Sequence, residues 1–150
     1  MKRYIRFGRF GWIVCSTVGL ILVASAAGAG DFDGTRPLLV SVNRVMECTP
    51  TGGCWEVTPA SIELPSFLRV DFTKKTIYPA HAGDKSAGTA IERREVVDGK
   101  LILQGAEDGY EKMRDGLGWT MAISTETGQV VLTASGDQVA FVVFGAALAQ

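Results

Sequence analysis

Beyond its first thirty residues the chain alternates apolar and polar side chains with a period of two almost everywhere. Half-buried strands meet that pattern and amphipathic helices do not. In Phe67–Phe72, Leu68, Val70 and Phe72 share one face, and Arg69 and Asp71 the other. In Trp119–Ser124, Trp119, Met121 and Ile123 oppose Thr120, Ala122 and Ser124. Asp98-Gly99 separates the apolar runs Val96-Val97 and Leu101–Leu103, as a two-residue hairpin turn requires. Thr127-Gly128 and Ser135–Asp137 mark two further turns.

Strands are therefore predicted near 38–46, 54–58, 67–72, 75–78, 88–97, 100–104, 119–125, 129–134 and 138–144. The best helical candidate, Ala106–Arg114, is bracketed by Gly105 and Gly116 and allows one or two turns at most. The fold class is all-β: an antiparallel meander of eight or nine short strands, closing as a small barrel or folding over as a sandwich. Val139–Phe144 is apolar on both faces and is expected to be a central or doubly covered strand. Glu92–Glu95 puts charge on both faces, which suits an edge strand, a strand running past the sheet, or a surface for an acidic partner.

The opening segment reads differently. Lys2, Arg3, Arg6 and Arg9 give a basic head without acidic residues, and 17 uncharged residues follow from Gly11 to Ala27. Small residues then offer cleavage sites at Ala24-Ser25-Ala26 and Ala27-Gly28-Ala29. A basic head, apolar middle and small-residue tail make residues 1–29 a signal peptide, with cleavage preferred after Ala29. An uncleaved anchor is the alternative, because the apolar run approaches the length of a span. Val14 stands before Cys15 where lipidation wants a small residue, so a lipoprotein is disfavoured. The expected order is signal peptide (1–29), flexible mature N-terminus (30–37) and one β domain (38–150), with a periplasmic or secreted product.

Composition narrows the function classes. The 150 residues are 47% hydrophobic and 21% charged, which suits one globular domain and excludes a disordered or collagen-like chain. Without residues 1–29 the chain keeps 11 basic and all 16 acidic residues, a formal charge of −5. An acidic domain repels phosphate backbones and anionic lipid, so neither nucleic acid nor stable membrane association is expected after cleavage. Cleavage also leaves two cysteines, Cys48 and Cys54, around Pro50 and Gly52-Gly53. An even count in an exported chain, astride a reversal, predicts a disulfide. Five intervening residues do not make the redox spacing, and no ligands accompany the pair for zinc. No metal or other cofactor is expected.

Candidate chemistry is sparse. His81 is the only histidine and has Asp84 nearby, but no nucleophile signature accompanies it. Glu107, Asp108, Glu111 and Asp115 form the densest acidic group, without the spacing of a calcium loop and with Lys112 and Arg114 among them. Asp31-Phe32-Asp33-Gly34 resembles a fragment of a calcium loop that lacks its remaining ligands. Trp55, Tyr78, Tyr110 and Trp119 are the aromatics suited to lining a ligand cavity, with Trp55, Tyr110 and Trp119 the candidate binding residues.

Three stretches carry a resemblance: Leu64–Ile77, with its strand, Asp71 and Lys74-Lys75 turn; Gly99–Gly105; and Gly118–Gly128, ending in Thr127-Gly128. Their order resembles small exported proteobacterial proteins of uncharacterised function. The resemblance spans most of residues 38–145, implies an all-β envelope domain and brings no catalytic residue with it. The exported lysozyme-inhibitor barrels share size, compartment and a disulfide, but no inhibitory loop can be matched to this sequence. The expectation is a non-enzymatic exported β-domain that binds a small ligand or an envelope protein. One alternative is an envelope hydrolase using His81 or the 107–115 carboxylates; another is a membrane-anchored structural protein that keeps its N-terminal segment.

Overall fold

The computed structural model describes residues 31–81, 88–109 and 116–150. The expected signal segment, Cys15, Asp84, Tyr110, Glu111, Lys112, Arg114 and Asp115 lie outside them. Among the described residues the protein is all-β, with ten strands in one antiparallel sheet. They are β1 (Leu38–Thr49), β2 (Gly53–Val57), β3 (Phe67–Asp71), β4 (Thr76–Pro79), β5 (Thr89–Ala90), β6 (Arg93–Val97), β7 (Lys100–Glu107), β8 (Leu117–Ser124), β9 (Gln129–Ser135) and β10 (Ala140–Ala149). Their order is β5-β4-β3-β1-β10-β9-β8-β7-β6, and β2 pairs with β1 off that path.

Nearly every neighbour in that order is also a neighbour in sequence, as a meander requires. The exceptions are β3 beside β1, where the chain detours through β2, and β1 beside β10, which joins the first strand to the last along almost their whole length. The sheet curls into a half-barrel around one apolar interior. Leu38, Leu101, Leu103, Met121 and Ile123 are completely buried there, each contributed by the inward set of an alternating strand. Asp98 and Gly99 both take positive φ, 47° and 71°, which gives the β6–β7 turn the backbone twist of the strands it joins.

The segment predicted as one strand over 88–97 is two. Thr89 and Ala90 pair with β4, whereas Arg93–Val97 pairs with β7, and the change falls between two adjacent residues. Ile91 N donates to Lys75 O at 2.8 Å on one side, and Glu92 N donates to Gln104 O at 2.9 Å on the other. One short segment thus reaches both ends of the strand order. Its charged portion, β6, ends that order, in line with the edge expectation.

Strand β10 is central, between β1 and β9, but its outward apolar row is uncovered: Phe144 is 42% exposed and Leu148 63%. The lead 31–37, expected to be flexible, is packed at two points: Phe32 rests against the core and Gly34 is buried. Arg94 Nη1 donates to Gly34 O at 3.0 Å and its guanidinium lies 5.6 Å over the Phe72 ring. Asp33 accepts from Thr35 N at 2.8 Å, and hydrogen bonding to Thr35 holds the Asp33 carboxyl below its ordinary value. That contribution is present above the ordinary value and is lost as pH falls through the lower, folded one.

Cys48 and Cys54 face each other across the β1–β2 hairpin and form the expected disulfide, with their Cα atoms 4.1 Å apart. A loop this short gives about 2 kcal/mol by the chain-entropy estimate. The hairpin matters by what it feeds. Immediately after β2, Thr58 caps a single 3-10 turn, Pro59–Ile62, and Glu63 ends it in the left-handed region at φ 56°. Leu64 and Pro65 then lie against the mouth of the sheet.

Candidate functional site

At one end of the curled sheet lies a cavity of about 330 Å³. Its walls come from the start of β3 (Leu68), the end of β4 (Ile77, Pro79), the start of β8 (Leu117, Trp119), the end of β9 (Leu132, Ala134) and the turn after β2 (Leu64, Pro65). Strands β8 and β9 deliver their inward side chains there by simple alternation, whereas β4 lines it with the consecutive residues Ile77, Tyr78 and Pro79. On β8 the row is Leu117, Trp119, Met121, Ile123; on β9 it is Val130, Leu132, Ala134.

Trp119 joins the cavity to the core. It is only 8% exposed, yet it borders the cavity as well. Across the β7–β8 ladder its partner is Gly105. A Cβ on Gly105 would stand 2.5 Å from the indole Cζ2 and 2.4 Å from the Ala90 carbonyl oxygen. Glycine is therefore what lets the ring lie against β7 while β5 passes beside it. The indole Nε1 donates to Thr89 Oγ1 at 3.1 Å, and that hydroxyl donates to Ala106 O at 3.3 Å. The polar groups nearest the indole are thus matched with each other, and what they leave facing the cavity is hydrocarbon.

Of the three described aromatic candidates, two are brought together. Trp119 and Tyr78 border the cavity; Tyr78 has Lys74 Nζ 5.9 Å over its ring. Trp55 stands on β2, 40% exposed, opposite Glu47, and does not line it. Tyr110 is outside the described residues.

Comparison with protein-family models, curated proteins and solved structures finds no match. The resemblance read from the sequence is one of strand and turn residues.

His81 is exposed and is not among the lining residues. Of the 107–115 carboxylates, Asp108 is exposed and Glu107 lines the cavity, whereas Glu111 and Asp115 are outside the described residues. Glu63 lines it too. Among the described residues no cluster of His, Cys, Asp or Glu has the arrangement of a metal site. No described helix is long and apolar enough to cross a membrane. A second hollow of about 260 Å³, at the other end of the sheet, is bordered by Phe72, Lys75, Ile91, Glu92 and Arg94 and is mostly charged.

Sequence reasoning missed Leu64, Pro65, Leu132 and Ala134 as site residues. For the last two the signal was present, since they continue the inward alternation from Val130. For Leu64 and Pro65 the only local signal was Thr58-Pro59, a capped turn start, which says nothing about where the turn docks.

Proposed function

We propose that this protein is an exported, non-enzymatic β-domain that binds a small ligand with an apolar body in the cavity beside Trp119. The observation that carries the reading is the cavity itself: a hollow walled by Leu64, Leu68, Ile77, Leu117, Trp119 and Leu132. Ligand sites are typically concave and mainly apolar, with few polar groups. Export is supported by the N-terminal sequence pattern and by the Cys48–Cys54 disulfide, which is at home in an oxidising compartment. In this reading the 89–97 segment closes the half-barrel by joining β4 to β7, and the cavity is the open mouth of a small barrel.

The test uses the neutral probe N-phenyl-1-naphthylamine. Its fluorescence rises saturably with the native protein, at one probe per chain. Ala134→Phe places a ring at the cavity wall, pointing into it, and probe affinity falls on the order of tenfold or more. Equal probe affinity in a folded Ala134→Phe protein overturns the reading, as does a native protein that takes up no probe. An envelope protein as the sole partner is the outcome the second result would favour.

A further inference from the structure

The lining of the cavity is uneven in charge. Among the described lining residues the charged ones are Glu63 and Glu107, and none is Lys or Arg. Strand pairing fixes the side on which Glu107 stands. Along β7, Leu101 and Leu103 face the core and Gly105 lies under Trp119, so Glu107 is the next inward position, opposite Leu117. It is exposed, at the point where the inward row of β7 meets solvent. Deeper in, the indole and the Thr89 hydroxyl are already hydrogen-bonded, so a polar head would find no better place inside than at this rim. The wider field has the same sign: residues 31–150 hold 11 basic and 16 acidic side chains, a formal charge of −5.

From this juxtaposition we propose that the ligand is a cationic amphiphile, with its apolar body against Trp119 and an ammonium head at the Glu107 carboxylate. The proposal rests on the reading of the cavity as a ligand site and adds the class of molecule. A carboxylate or phosphate head would meet like charge at Glu107. A neutral head would gain hydrogen bonds at most.

Octylamine, octan-1-ol and octanoate share one chain length and differ in head group, so their displacement of N-phenyl-1-naphthylamine separates chain from head. At neutral pH and low salt the order of affinity is amine, alcohol, carboxylate, with amine over alcohol about fivefold. Added salt narrows that gap, because the head remains near water. In Glu107→Gln the amine loses its advantage, with the alcohol as reference. Glu107→Asp, which keeps the charge, retains part of it. Octanoate binding as well as octylamine, or an amine preference that survives Glu107→Gln, overturns the proposal. If the alcohol displaces no probe, the ligand-site reading itself fails, which is a different result from alcohol and carboxylate binding without an amine preference.

Discussion

Gly105→Ala is expected to destabilise the domain by about 3 kcal/mol and to disturb Trp119 at the same time. The new methyl would sit 2.4 Å from a backbone carbonyl, Ala90 O, and 2.5 Å from the indole. A flexible side chain would yield to such an intrusion at small cost. Here one obstacle is the backbone of β5, itself paired with β4, and the other is a ring held by its hydrogen bond to Thr89. Relief requires β5 to move from β7 or the indole to swing out, and either opens the cavity wall. Denaturant unfolding of the protein without residues 1–29, followed through Trp119 emission in a Trp55→Phe background, reads both effects. A midpoint unchanged from the parent, with unchanged emission, would show that neither neighbour confines position 105.

Leu103→Ala is expected to cost more, about 4 kcal/mol, without touching the cavity. Leu103 is fully buried, and its ladder neighbours are Met121 on β8 and Arg94 on β6. It belongs to the core cluster with Leu101, Trp119 and Ile123. Strands pinned on both sides cannot collapse onto the vacated space, so most of the cavity penalty is retained. Leu148→Ala, on the exposed outward row of β10, supplies the contrast and is expected to change stability by no more than about 0.5 kcal/mol. Chemical denaturation of the two variants side by side checks the pair. A smaller loss for Leu103 than for Leu148 would invert the assignment of inner and outer faces.

These faces were legible from sequence because alternation fixes them locally. Once Trp119, Met121 and Ile123 share a side, any sheet that buries one buries all. The Asp98-Gly99 turn was legible for the same reason, since its two residues supply the required backbone on their own. What alternation cannot report is the partner of each strand. Residues 88–97 carry no glycine or proline turn signal at Ile91-Glu92, yet the two halves pair with different strands, a choice made by the distant edges of β4 and β7. Trp55 and Trp119 illustrate the same limit. Both are aromatics on short strands, but β2 pairs only with β1 and leaves Trp55 half-open, whereas β8 lies between β7 and β9 and turns Trp119 inward. The cavity was the least legible feature of all, because it is assembled from separate stretches of chain spread between Glu63 and Ala134.

If a ligand enters beside Trp119, the indole reports it directly. Octan-1-ol is titrated into the ¹⁵N-labelled protein without residues 1–29, whose tryptophans are Trp55 and Trp119, and is followed through the indole N–H signals, with Trp55→Phe assigning that of Trp119. The expected result is a Trp119 signal that shifts progressively and saturates, while the Trp55 signal in the parent protein stays in place. A Trp119 signal that never moves, or one that moves only together with Trp55, would contradict it.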